Sequence, residues 1–547
     1  MESPMPPSTI QEAEALVLAL YQPAPPHTIA RIQETLHRMQ RSPSGWWIAR
    51  DLLAHADDKV KFFGALTLIV KLNTESSSLS GDDASELRQN LIGCTSHVLH
   101  TLHSRKLQAA LWFSGALVDE AAKVEMNSAK HMGLYETITR NIPDALALMS
   151  HGLSHQVSAD TTDRVIQKDS IICLQSWVWF SQRVSTHHDE LIRSLRELIQ
   201  PTIAALAEEE LYEAAVELLS DVLSNYSGFL TEDHYESLFS LFETQWSHER
   251  YQRLVEGDFE FDSIQFGQLM LALGDSKVEA LIHSIDTRSS RFLARLRGLL
   301  SAQGYPVSED KIFVPALEFW STYVETLTDS IYSEDEEAKV WVSTATSHVL
   351  EAISAVWQRI AYPAEPDSDT ELAQNGIEFT NRLITREAAA LFHADCLPHA
   401  EFFFMYTLRV LDGREPLPKA AAADFWATFM TLKTGDQEAQ KTIEHAISQL
   451  GPLLAHSIIR NVGGNASRSE LDKLSEPLKK MVNHHVKART WLEQALHDPS
   501  FPGHQISTEE KAVFLKKIIG LRGARGTNQV VREFWLSGRG SKFAYAS

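Results

Sequence analysis

Residues 32–73 read IQETLHRMQRSPSGWWIARDLLAHADDKVKFFGALTLIVKLN and are the clearest guide to the secondary structure. Apolar residues recur there every three or four positions, as they do in a helix with one buried face. An earlier amphipathic segment begins at Ser8, which has capping-box spacing with Gln11. The sequence therefore predicts two successive helical hairpins, with Gly64 and Ala65 permitting close helix approach.

The rest of the chain repeats this amphipathic pattern, without the alternation of a β-strand. We predict helices near residues 84–103, 104–122, 165–184, 188–206, 210–228, 232–254, 263–284, 288–302, 311–330, 336–360, 371–395, 400–411, 418–432, 436–450, 452–462, 468–497 and 508–520. Hairpins that recur about every 35–50 residues are typical of repeat proteins. The predicted fold is all-α, an α-solenoid (superhelix) of HEAT-like antiparallel helical hairpins.

Two polar stretches and one stretch without a regular register interrupt the repeats. Residues 74–83 (TESSSLSGDD) have the composition of a solvated loop, and residues 362–370 (YPAEPDSDT) form the strongest break. No register is evident over 123–162. We predict five segments: N-terminal HEAT-like repeats at 1–110, central HEAT-like repeats at 111–361, a break at 362–370, C-terminal HEAT-like repeats at 371–520 and a basic tail at 521–547.

Composition excludes several classes of protein. Gly and Pro supply only 45 of 547 residues, which argues against a disordered or collagen-like chain. The net charge of −22 argues against nucleic acid as the main ligand. Three cysteines without CxxC spacing indicate a reducing compartment, and no apolar run is long enough for a membrane span. Residues 1–30 lack the basic residues of a targeting sequence.

Motifs for catalysis or metal binding are weak. The cluster HADCLPH at 393–399 holds His393, Asp395, Cys396 and His399, but Pro398 breaks the helix that would join its ends. The pairs His187–His188 and His484–His485 do not resemble catalytic dyads, and no GxSxG, P-loop, GxGxxG or HExxH occurs. We expect no enzyme activity, catalytic residue, metal or cofactor.

Charge is distributed unevenly along the chain. Residues 208–262 hold fifteen acids and two arginines, a net charge of −13, whereas residues 511–547 carry a net charge of +7. An ordinary solvated helix face explains any single run, but a solenoid could use the acids to attract a basic protein. The candidates for binding basic cargo are Glu208, Glu209, Glu210, Glu213 and Glu217.

Both ends of the chain resemble the karyopherin-β (importin-β) superfamily of nuclear transport receptors, and most of all its importin-thirteen and fungal transportin-like branch. The N-terminal resemblance rests on Met39–Ser42, the Trp46–Trp47 pair, Phe62–Leu66 and Lys71. The C-terminal resemblance rests on residues 463–469 (GGNASRS), Trp491–Leu492, Phe501–Pro502 and the helix at Lys511–Phe514.

This resemblance implies a monomeric receptor that shuttles between nucleus and cytoplasm for protein import. Its partners would be Ran-GTP, a protein cargo and Phe-Gly nucleoporins, with no direct nucleic acid and no membrane. The candidate Ran contacts are Asp57, Asp58, Lys59, Lys61 and Lys71 in the N-terminal hairpins, and the acidic run Glu334, Asp335, Glu336 and Glu337.

The count of repeats departs from this family. Such receptors stack about twenty repeats, whereas roughly ten to twelve are counted here, so the missing repeats are predicted to be internal, near 362–370 or 123–162. The alternative interpretation is a cytosolic HEAT-repeat scaffold without Ran-dependent transport. An enzyme that uses the 393–399 cluster is a distant third.

Overall fold

The structure is a computed structural model of the protein. It describes residues 9–22, 25–53, 57–75, 104–123, 140–154, 161–183, 189–302, 307–333, 340–361, 368–386, 397–435, 437–502 and 505–539, with a few single positions between them. All regular elements in these ranges are helical, which confirms the predicted all-α repeat fold. None of the described helices is both long and apolar enough to cross a membrane.

The chain divides into two compact units, Met1–Leu238 and Phe239–Ser547. The helices of the first unit are α1 (Ile10–Leu20), α2 (Pro26–Arg41), α3 (Gly45–Leu53), α4 (Asp58–Glu75), α5 (Ser104–Lys123), α6 (Ile142–Leu153), α7 (Thr161–Arg183), α8 (Asp189–Arg196), α9 (Ile199–Ala205) and α10 (Glu209–Asn225). The division between the units falls inside α11 (Glu232–Phe242). The five segments predicted from the sequence stay predictions.

The helices of the second unit form the longer series. They are α12 (Gln245–Val255), α13 (Phe261–Ser276), α14 (Val278–His283), α15 (Thr287–Leu299), α16 (Val307–Asp310), α17 (Phe313–Ser333), α18 (Val342–Ala361), α19 (Thr370–Arg386), α20 (Leu397–Asp412), α21 (Pro416–Phe429), α22 (Gln437–Arg460), α23 (Leu471–His484), α24 (Ala488–Leu496), α25 (Thr508–Leu521) and α26 (Gly526–Ser537).

The first four helices pack as the apolar pattern predicts. Their shared core consists of Ala13, Val17, Ile32, Leu36, Met39, Ile48, Leu52 and Val60. Gly64 permits close helix packing, because a Cβ atom there would lie 2.9 Å from the Ala49 carbonyl oxygen. The cap of α1 is one residue later than predicted, since the Thr9 hydroxyl accepts the Glu12 amide at 3.3 Å. Of the tryptophan pair only Trp46 is buried; Trp47 is 40% exposed.

Equivalent helices of successive repeats lie side by side in the first unit. The Gln108 amide of α5 donates to Asp169 of α7 at 2.8 Å, and Trp177 of α7 donates to Ser114 of α5 at 3.0 Å. Both contacts advance in the same direction along the two helices, so α5 and α7 run parallel. Helix α10 continues this row against α7.

The second unit has two such rows. One contains α15, α18, α20, α22 and α24, and the other contains α17, α19, α21 and α23. Trp320, Trp357 and Trp426, on helices of these rows, are fully buried. These three indole rings are therefore part of the core of the second unit.

Several predicted helix boundaries are wrong. The segments predicted at 436–450 and 452–462 form one helix, α22, with Pro452 inside it. The segment predicted at 468–497 is divided between α23 and α24, because His485 adopts an extended conformation with φ −122° and ψ 120°. The segments at 188–206 and 232–254 are each two helices. The predicted helix 84–103 and most of the break at 362–370 lie outside the described residues.

Candidate interaction surfaces

The predicted Ran-binding residues of the first hairpins occupy different environments. The Asp57 carboxylate caps α4, because its Oδ1 accepts the amides of Lys59 at 2.9 Å and Val60 at 3.4 Å. The Lys59 side chain is exposed and places Nζ 4.9 Å from the centre of the Tyr21 ring. Lys61 is half-buried. Lys59 is therefore the most accessible cation of this group.

Lys71 is not available as a surface contact, which corrects its selection as a Ran-binding residue. Its side chain is fully buried, with Nζ 5.8 Å from the centre of the Trp46 ring. The same side chain packs against Gly45, where an added Cβ would lie 2.7 Å from Lys71 Cε. The Asp58 side chain and the run Glu334, Asp335, Glu336 and Glu337 lie outside the described residues.

Helix α10 presents its acidic residues on one exposed face. Helical periodicity buries Leu211, Ala215 and Leu218 on the opposite side. The acids that the sequence selected for basic cargo are all exposed: Glu208, Glu209, Glu210, Glu213 and Glu217. Glu209, Glu210, Glu213 and Glu217 therefore share one side of α10, and Glu208 immediately precedes its first turn.

The preceding helix of the row neutralises part of this acidic face. Arg164 of α7 forms an ion pair with Glu208 at 2.7 Å, and Lys168 forms one with Glu213 at 2.6 Å. These pairs join residues more than forty positions apart, so no local pattern announces them. The acidic face consequently has a lower effective charge than its sequence indicates.

The two preceding helices of this row, α5 and α7, each carry an exposed apolar side chain that the sequence reasoning missed. Ile172 lies one turn beyond Lys168 on α7 and is 44% exposed. Trp112, on the neighbouring helix α5, is 52% exposed. Helical spacing could have indicated that Trp112 is exposed. The buried positions Ala110, Leu111 and Ser114 define the inner side of α5, and Trp112 lies off that side. The row α5, α7 and α10 thus exposes apolar side chains as well as acids.

The described residues contain no group of three or more His, Cys, Asp or Glu side chains that could hold a metal ion. His393, Asp395 and Cys396 lie outside these residues, while His399 Nε2 is 3.3 Å from Gln358 Nε2. Cys173 is fully buried, and its burial raises the thiol pKa to about 12. This thiol is therefore protonated and unreactive at neutral pH.

Comparisons with known proteins support this repeat architecture from the sequence side. The chain is 23% identical over 423 residues to the importin beta-like protein kap111 of Schizosaccharomyces pombe, a match that covers 65% of this chain and 42% of kap111. It is 28% identical over 152 residues to importin-13 of Rattus norvegicus, covering 27% of this chain and 15% of that protein. No protein-family model matches the chain.

Among solved structures, yeast importin-β (Kap95p) aligns with a TM-score of 0.38 and 11% identity, covering 96% of this chain and 67% of that one. By sequence, the chain is similar to importin-like proteins of the karyopherin-β superfamily. Within that superfamily its sequence relatives are kap111 and importin-13, in agreement with the predicted branch. The chain spans less than half the length of these relatives.

Proposed function

We propose that the chain is a nuclear transport receptor that binds Ran-GTP, a basic protein cargo and Phe-Gly nucleoporins, and that shuttles between nucleus and cytoplasm for protein import. The observation that carries the proposal is the sequence match to an importin beta-like protein over 423 residues. The relatives matched are transport receptors, not enzymes, so no catalytic role is proposed.

The N-terminal hairpins are the proposed Ran-binding region. Lys59 and Lys61 follow the Asp57 cap on α4, so the capped helix end fixes the backbone from which both lysines project. Exposed or half-buried lysines on a rigid helix are suited to charge complementarity with a protein partner. The acidic run Glu334, Asp335, Glu336 and Glu337 stays a proposed second contact.

The proposed cargo site is the exposed face of α10 together with Ile172 and Trp112. Carboxylates steer and orient a basic segment, while exposed apolar side chains supply the desolvated contact that gives affinity. This combination favours a cargo segment that carries both lysine or arginine and a large apolar residue. Charge reversal at Glu208 to Glu213 is expected to weaken such binding.

The decisive experiment is a pull-down with Ran loaded with GTP or with GDP. We expect the chain to retain more Ran in the GTP form than in the GDP form, and the variant Lys59→Glu with Lys61→Glu should retain less of the GTP form. The matched control is Arg414→Glu with Arg468→Glu, which makes the same charge change at exposed positions of the second unit. Binding that ignores the nucleotide, or no binding at all, would instead favour the scaffold without Ran-dependent transport.

A further inference from the structure

Three interhelix turns meet at one edge of the second unit. His485 Nε2, in the turn between α23 and α24, lies 2.8 Å from the carbonyl oxygen of Met430, which follows α21. The turn between α25 and α26 packs on α23, because a Cβ atom on Gly523 would lie 2.9 Å from the Lys479 carbonyl oxygen. The first two turns are therefore in contact, and the third lies against the C-terminal half of α23, the helix that leads into the second turn.

All three turns carry positive side chains. We name the basic edge as the exposed residues Lys433, Lys480, His484, Lys487, Arg489, Arg522 and Arg525. Residues 479–490 and 511–525 contain no acidic residue. The pKa of His484 is lowered mainly by partial desolvation and further by the charges of His485, Lys480 and Lys433. These bases therefore lie close enough to His484 to repel its positive charge.

Other bases on the same helices do have acidic partners. Lys473 pairs with Asp424 at 2.8 Å, and Lys479 pairs with Glu476 at 2.8 Å. Arg532 of α26 pairs with Asp472. Over the ranges that the structure describes, none of the seven basic-edge residues forms an ion pair. The edge is thus an uncompensated positive surface on a chain whose net charge is −22.

The backbone at the third turn holds its arginines in place. Arg522 has φ +45° and Gly523 has φ +76°, so both adopt the left-handed conformation. Glycine adopts this conformation readily, whereas arginine does so at a cost. The absence of a side chain at Gly523 lets this turn lie against α23, which places Arg522 and Arg525 beside the Lys480 end of that helix.

We propose that the basic edge is a docking surface for an acidic segment of a partner protein, one rich in aspartate or glutamate. Val486 is fully exposed among these bases and offers an apolar contact that such a segment can fill. A long nucleic acid suits the surface less well, because the seven bases are confined to three turns of a strongly acidic chain. The proposal does not depend on transport activity.

The test measures fluorescence anisotropy of a labelled peptide of about eight glutamates with the full chain, at low and at physiological salt. The wild-type chain is expected to bind the peptide, more weakly as salt rises. The variant Lys480→Glu with Lys487→Glu is expected to lose affinity about tenfold or more. The control Arg414→Glu with Arg468→Glu, at the opposite ends of α21 and α23, is expected to bind as the wild type does.

Three results would overturn the proposal. The first is no saturable binding of the glutamate peptide at low salt. The second is an equal loss of peptide affinity in both double variants, since this would mean that binding depends only on the total charge of the chain. The third is tighter binding of a single-stranded RNA of matched length than of the peptide. Circular dichroism of both variants checks that the helices are intact.

Discussion

The acidic face of α10 and the basic edge of the second unit are both clusters of like charge in the sequence, but they differ in how far neighbouring helices pair those charges. Each collects charges of one sign on an exposed surface. On α10, bases from the preceding helix reach Glu208 and Glu213, whereas the described residues supply no ion pair to the basic edge. Charge clusters in a helical-repeat protein are therefore compensated, or left uncompensated, by the neighbouring repeat.

The two surfaces also depend on packing to different degrees. The α10 face belongs to one helix, so its four acids Glu209, Glu210, Glu213 and Glu217 stay together as long as that helix forms. The basic edge is assembled from three turns and exists only while α21, α23 and α26 are stacked. Local unfolding of the second unit should therefore abolish one surface and leave the other intact.

The largest expected effect comes from removing the core under the basic edge. Trp426 of α21 is fully buried, so Trp426→Ala should lower the free energy of unfolding of the second unit by about 3–5 kcal/mol. Trp112→Ala, at an exposed site, should cost less than about 1 kcal/mol. Chemical denaturation measures both values. An equal cost would contradict the burial difference on which the comparison rests.

The next effect is a gain of binding. Arg164→Gln with Lys168→Gln removes the bases that neutralise Glu208 and Glu213, so the acidic face becomes uncompensated like the basic edge. Affinity for a lysine-rich peptide should rise by about 1 kcal/mol, or roughly fivefold. Anisotropy titration measures it. Lys480→Gln with Lys487→Gln is the control in the second unit, where no such gain should occur.

A smaller effect should appear with pH at the basic edge. Partial desolvation and the charges of His485, Lys480 and Lys433 lower the pKa of His484 from the usual histidine value of 6.5. The imidazole is therefore neutral at pH 7 and becomes protonated as the pH falls below 6.5. Binding of the glutamate peptide should strengthen about two- to threefold between pH 7.5 and 5.5. If His484→Gln shows the same increase, His484 is not its source.

The smallest effect concerns the compensated pairs. Asp424 and Lys473 are each about half exposed, so Lys473→Ala should lower the free energy of unfolding by about 0.5 kcal/mol or less. Denaturant titration is the measurement. A decrease of several kcal/mol in the free energy of unfolding would mean that ion pairs between repeats stabilise the stack. It would contradict the view that these pairs mainly neutralise surface charge.

The sequence predicted the N-terminal hairpins well because their apolar spacing is regular and Gly64 marks the close approach of α3 and α4. It misjudged Lys71, since a lysine is usually exposed and nothing local shows that this one lies beneath Trp46. It also predicted that one helix ends at residue 450 and the next begins at Pro452, whereas α22 continues through both positions. Propensity is a local property, and tertiary packing overrides it.

Amino-acid order alone determined that this chain forms amphipathic helices, that they occur in hairpins, and where charges of each sign concentrate. Tertiary structure alone decided which charges are neutralised and which turns meet, as with Lys168 and Glu213 or Met430 and His485. Helical periodicity acts over a few residues and can be read along the chain. The register between stacked repeats joins residues more than forty positions apart, and it depends on how buried side chains interlock.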